Sequence, residues 1–250
     1  MNGPNDKQAY SDASGLETLE HLSAAHQFND WLFSQILPFC KGEVMEAGSG
    51  IGNISELLLE QGFHTTLSDI RPEYLKILEE KFNDNPCFHE AYRLDLSDPE
   101  IELHSTSLLG RFDTLVALNV IEHIAQDALA IRNARKLLKP GGRLVVLVPA
   151  GAWLFNQFDR ELSHFRRYDR NSLSKLLEEQ GFNCRSIRYF NLAGIAGWWF
   201  FGSLLKRKQI PAGQLKIFDR LVPFFRFLDW STGHLLGLSI IAIGTKGLHE

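Results

Sequence analysis

What the chain lacks narrows it first. Cysteine is scarce: Cys40, Cys87 and Cys184 stand far apart, with no CxxC pair and no Cys/His group at zinc spacing. That argues against a disulfide-stapled secreted scaffold and against a zinc ribbon, and it suits a reducing cytosol. Long apolar runs are missing too. A spanning helix needs roughly 20 unbroken apolar residues, and the nearest stretch, residues 190–205, is interrupted by Asn191 and three glycines. The opening Met-Asn-Gly-Pro-Asn-Asp-Lys-Gln carries no basic segment ahead of an apolar one, so a cytoplasmic location is expected. Nor is there a strong excess of positive charge. The net charge is −4, which speaks against a nucleic-acid partner. That small net conceals a division, −10 over residues 1–150 and +6 over 151–250. The basic part would suit an anionic substrate or a membrane surface, although solvated surface charge reads the same way.

What is present fits one domain. The chain has 250 residues, 44% hydrophobic and 22% charged, enough to bury a core without metal or disulfides. Residues 1–15 are polar and small, as in a mobile tail, and the domain is expected over 16–250. Leu19, Leu22, Ala25, Phe28, Leu32 and Ile36 recur at helical spacing, which predicts an amino-terminal helix ended by Pro38. Strands are then expected at 44–47, 65–68, 88–94, 113–118 and 143–148. Helices are expected at 53–61, 72–82 and 128–138, with a Pro140-Gly141-Gly142 turn. Such alternation means parallel strands with right-handed crossovers, a doubly wound Rossmann-like α/β sheet. Beyond Pro149 come a loop at 150–170, a helix at 172–180, a strand at 184–189, an apolar helical stretch at 193–236 and a last strand at 238–245.

The chemistry concentrates at the first strand-to-helix turn, Glu46-Ala47-Gly48-Ser49-Gly50-Ile51-Gly52-Asn53. Gly48 and Gly50 allow a ligand to approach the main chain closely. A dinucleotide fingerprint would place its third glycine at position 53, where this chain has asparagine. Glu46 also sits inside the strand, where it would repel a pyrophosphate and attract a cationic ligand. Asp69, with Ile70 beside it, ends the second strand and can accept from both hydroxyls of a ribose. Asp95 ends the third and can accept from an adenine amine, with Leu96 offering its N–H and an apolar contact. Asn119 and Val120 follow the fourth strand, at the crevice where such sheets bind ligands. Taken singly, a glycine turn, a helix cap or a turn-forming aspartate would each be ordinary. Their placement at successive strand ends points to a site for S-adenosylmethionine.

These residues resemble the class I S-adenosylmethionine-dependent methyltransferases, in particular the bacterial type 11 and type 12 subgroups. The resemblance covers roughly residues 40–150 and rests on Glu46 with the glycine loop, Asp69, Asp95-Leu96, Asn119-Val120-Ile121-Glu122-His123 and Leu138-Lys139-Pro140-Gly141-Gly142. It implies a seven-stranded sheet in the order 3-2-1-4-5-7-6 with an antiparallel last strand. It also implies that Glu46 lies near the amino-acid end of the cofactor, Asp69 at ribose, Asp95 at adenine and Asn119 by the methyl. The product would be S-adenosylhomocysteine.

The acceptor side is expected in Asp159-Arg160-Glu161-Leu162-Ser163-His164-Phe165-Arg166-Arg167-Tyr168-Asp169. His164 is the first candidate base and His123 the second. Arg166 or Arg167 would hold an anionic group, Tyr168 would position a hydroxyl, and Asp159 belongs to the same acceptor-binding set. A salt-bridged loop that only closes the site would look similar. Methyl transfer from a sulfonium depends mainly on alignment, and no metal-ligand spacing is visible, so a metal-independent reaction is expected. The apolar stretch over 191–237 is expected to form a helical cap. It would cover a hydrophobic, amphipathic or lipid-linked small acceptor, dock on a membrane through residues 190–230, or join two copies in a homodimer rather than leave a monomer. Transfer to oxygen, nitrogen or carboxyl stays open. A regulatory protein that binds the cofactor without turnover, and a protein methyltransferase, are the alternatives. An Asn/Asp-Pro-Pro-aromatic motif after the fourth strand, suited to base amines, is absent.

Overall fold

The computed structural model describes residues 12–207 and 212–248. Residues 1–11 of the expected tail, and 208–211 of the expected cap, lie outside the described residues. The chain starts with α1 (Asp12–Ser23) and α2 (His26–Ile36). A first Rossmann half follows: β1 (Val44–Ala47), α3 (Asn53–Glu60), β2 (Thr65–Asp69), α4 (Pro72–Phe82) and β3 (Phe88–Arg93). The short α5 (Ile101–His104) leads to β4 (Phe112–Leu118), α6 (Asp127–Leu137) and β5 (Leu138–Pro149). Then come α7 (Gln157–Glu161), α8 (Arg170–Glu179), β6 (Phe182–Phe190), α9 (Leu192–Trp198), α10 (Ala212–Ser231) and β7 (Ser239–Lys246).

The seven strands form one sheet in the order β3-β2-β1-β4-β5-β7-β6. β1 to β5 pair in parallel, and β7 runs antiparallel to both β5 and β6. This is the order and the antiparallel strand that the resemblance implies. The central strands are buried on both faces, so they read as continuous apolar runs rather than alternating ones. Phe112, Leu115 and Leu144 fill one face with α6 and α8. Trp31, Ile36, Val116, Val145 and Phe190 fill the other, beneath α2 and α3.

Three expectations need correction. The helix expected from residue 16 begins at Asp12. It is also two helices, broken at Ala25 (φ −93°, ψ 65°). The start of α2 finds its cap far away: Asp219 of α10 accepts from the Phe28 N–H at 2.8 Å. A partner 191 positions distant leaves no mark on local periodicity. The Pro140-Gly141-Gly142 turn lies inside β5 as an irregularity, with the pairing shifting between Phe112 and Thr114. The apolar stretch is helical in pieces: α9 runs into a π-helical turn at Trp199–Leu204, and α10 follows separately with Pro223 inside it.

Candidate active site

The glycine loop is built by main-chain bonds that the sequence permits only with small residues. Ser49 N–H donates to Ser68 O at 2.8 Å, and Gly52 N–H donates to Ser49 O at 2.9 Å. Gly48 holds φ +74°, and a Cβ there would lie 2.4 Å from Val120 Cγ2. Gly52 caps α3 at φ +87°, and a Cβ would press into the Phe82 ring at 2.6 Å. Both positions therefore require glycine, for backbone angle and for space. α1 lies across the loop: Leu19 packs on Gly50, and Asn53 Nδ2 donates to Leu19 O at 3.1 Å.

Acidic side chains end the strands around this loop. The Glu46 carboxyl is buried and accepts from Ser55 Oγ. Burial pushes it up to about 7, against the pull of the Ser55 and Ser49 hydroxyls and with help from Asp69. Asp69 Oδ2 accepts from Gly50 N–H and Oδ1 from Arg71 N–H, each at 3.0 Å. Each oxygen keeps a second lone pair for a ligand hydroxyl. Burial also raises Asp69, against those two backbone donors. Asp95 Oδ1 accepts from Ser97 N–H and Oγ, which fixes its turn, and Leu96 is buried beside it. Ile70 is half exposed. Asn119 takes a left-handed backbone (φ 55°) and donates its N–H to Leu147 O. A glycine cradle rimmed by carboxylates fits a cofactor with an ammonium, a sulfonium and ribose hydroxyls, and it is ill suited to a pyrophosphate.

Three comparisons bear on this geometry. A family model described as a methyltransferase domain matches residues 17–187. The chain belongs to this methyltransferase family. The class I S-adenosylmethionine-dependent type expected from the sequence stands, with its cofactor. A ubiquinone biosynthesis O-methyltransferase of Xylella fastidiosa is 30% identical over 113 residues. That stretch covers 45% of this chain and 44% of the relative, so the chain matches less than half of the relative's length. Among solved structures, a SAM-dependent methyltransferase from Archaeoglobus fulgidus superposes with a TM-score of 0.57 at 17% identity, covering 87% of this chain and 94% of the other. A phosphoethanolamine N-methyltransferase of Haemonchus contortus, solved with S-adenosyl-L-methionine, gives 0.59 at 15% identity, covering 90% and 56%. These structural likenesses show the fold.

On the acceptor side the methyltransferase brings its expected residues together, but most of them bind each other. Asp159 is fully buried and accepts from Arg167 Nε at 2.7 Å, pairs with His164 Nδ1 at 2.9 Å and accepts from Asn156 N–H at 2.9 Å. These partners hold its carboxyl below the ordinary range even though burial opposes them. Arg167 also donates to Ala150 O and lies over the Trp198 ring at 4.7 Å. Its guanidinium is engaged within the fold. Arg166 pairs with Asp127 at 2.5 Å and donates to Ala125 O. Tyr168 is buried, and its hydroxyl donates to Asp127 at 3.0 Å. Burial and Asp127 both raise the phenol. Arg167 and Tyr168 thus anchor the loop to the end of β5 where the sequence suggested substrate contacts.

Two features escaped the sequence. Glu122 is fully buried, and neither carboxylate oxygen has a hydrogen-bond partner. Burial pushes it up to about 8, opposed by Arg167. His123 stands edge-on to His164, with ring centroids 4.7 Å apart, and burial pushes it down to about 3. Sequence spacing had indicated no metal cluster. The fold assembles one candidate group, Glu122, His123 and His164, among the described residues. The signal was half visible, because Glu122-His123 is adjacent in sequence while His164 comes from another loop.

A pH test follows for Glu46. Its raised value means that its contribution to stability is fully present below about 4.5 and is lost as pH rises through about 7. A cationic ligand favours the ionised form, so cofactor binding should tighten about tenfold between pH 6 and 8 by one-proton linkage. Calorimetry on wild type and Glu46→Gln isolates the effect, since the cofactor's own titration is common to both. Parallel pH profiles would remove Glu46 from the cofactor's surroundings.

Proposed function

We propose that this methyltransferase acts on a small amphipathic or lipid-linked acceptor presented at a membrane surface, with the domain extending over residues 16–250. One observation carries the reading. α10 turns Ile217, Leu221, Phe224, Phe227 and Trp230 to the outside, with Trp230 72% exposed. Lys216, Arg220 and Arg226 stand exposed on the same helix, and Lys206 and Arg207 precede it. Aromatic groups beside cations suit an interface of lipid headgroups. No helix among the described residues is long and apolar enough to cross a membrane. The ubiquinone biosynthesis name of the Xylella fastidiosa relative fits a lipid-linked acceptor.

When bound, S-adenosylmethionine supplies an electrophilic methyl on sulfonium. Glu46 would face its cationic amino-acid end, Asp69 its ribose and Asp95 its adenine. Activation of the methyl requires no metal, since alignment supplies most of the rate. His164, with Nδ1 paired to Asp159, would use Nε2 to take the acceptor's proton.

Vesicle flotation tests the membrane reading. Wild type should rise with phosphatidylglycerol vesicles at low salt and remain below with neutral ones. Phe224→Ser with Trp230→Ser should reduce flotation several-fold. A wild type that stays wholly in solution would refute the surface, leaving the methyl-donor site unaffected.

A further inference from the structure

Beside the methyl-donor site lie three side chains whose arrangement the cofactor does not explain. Oxygen or nitrogen ligand atoms of Glu122, His123 and His164 all fall within 4.8 Å of one another. Glu122 is 0% exposed, and both of its oxygens lack partners. A carboxyl group buried without a donor is costly unless a cation or a proton compensates it. The neighbouring cation, Arg167, is bound to Asp159 and to Ala150 O, so it makes no hydrogen bond to Glu122. His164 is oriented by the Asp159 carboxylate on Nδ1 at 2.9 Å, which leaves Nε2 directed away from that pair. A carboxylate on the outer nitrogen is the common support for a metal-bound histidine. Asp159 is itself fixed by Arg167 and the Asn156 N–H. With Asp159 paired to Arg167, Glu122 is the acid of the group whose oxygens lack a hydrogen-bond partner.

We propose that Glu122, His123 and His164 bind a divalent transition ion of the zinc class. Two imidazoles and one carboxylate favour zinc or cobalt over magnesium or calcium, which prefer oxygen. A tetrahedral site places ligand atoms about 3.4 Å apart, so atoms now within 4.8 Å would close by at most about 1.4 Å through side-chain torsions. Three protein ligands leave a further position for water or an acceptor atom. The site does not depend on the membrane reading. It would draw on His164, the residue proposed above as base.

The test uses the whole chain, stripped with chelator and titrated with Co²⁺. Visible d–d absorption of about one Co²⁺ per chain, displaced by Zn²⁺ and not by Mg²⁺, is expected. Glu122→Gln and His164→Gln should each weaken Co²⁺ binding at least tenfold. Asp159→Asn, which acts through His164, should weaken it about 10- to 100-fold, the usual range for such supporting groups. Wild type without d–d absorption at millimolar Co²⁺ would overturn the proposal whether or not the variants fold. Retained absorption in both Glu122→Gln and His164→Gln would overturn it too. S-adenosylmethionine titration of the same samples keeps failure of the ion site distinct from failure of the methyl-donor site.

Discussion

Asp69→Ala should weaken S-adenosylmethionine binding about 100-fold, since two charge-assisted hydrogen bonds to ribose are worth about 3 kcal/mol together. The carboxylate does two things in this fold. It holds the Gly50 and Arg71 N–H groups, and it retains lone pairs for the ligand. Alanine removes both. Asp69→Asn retains a carbonyl oxygen as acceptor and loses the charge, so it should fall between wild type and alanine. Circular dichroism of both variants should stay native, because the Ser49–Ser68 bonds still tie the loop to β2. Calorimetry showing unaltered affinity in Asp69→Ala would disprove the ribose assignment.

For His164→Ala the loss should appear in turnover. General-base groups contribute about 10²- to 10⁴-fold, while cofactor affinity should stay within about twofold of wild type. The residue is paired with Asp159, in the Asp159–Arg167 cluster. Transfer of tritiated methyl to a cell lipid extract measures the first quantity, and calorimetry the second. Wild-type turnover would remove His164 from the acceptor's chemistry. Equal losses in turnover and cofactor binding would show that its role is to hold the loop.

The placement of the donor-side residues was legible because it is local. Gly48 and Gly50 declare their positive φ within a few residues, and Glu46, Asp69 and Asp95 lie in or just past strands whose apolar pattern marks the boundary. Strand order followed from the resemblance those residues carry. The acceptor half was not legible, because its side chains are assigned by long-range pairing. Tyr168 and Arg166 meet Asp127 across 41 and 39 positions, and Arg167 meets Trp198. A sequence shows that such residues are dense in one loop; it does not show which of them bind one another. The split between α1 and α2 failed for the same reason, since Asp219 is the cap.

The excursion between β6 and β7 has a consequence for how such enzymes diversify. The two strands are neighbours along their length, and Leu238 N–H donates to Asn191 O at 3.0 Å where the excursion leaves and returns. Asp229 of α10 accepts from the Asn191 and Leu192 N–H groups, closing the same neck. The described residues between are tied at this neck and again where Asp219 caps α2 and Trp198 lies under Arg167. A chain built this way can lengthen or shorten the rest of the excursion while β5, β6 and β7 remain paired, so long as the contacts of Asp219 and Trp198 are kept.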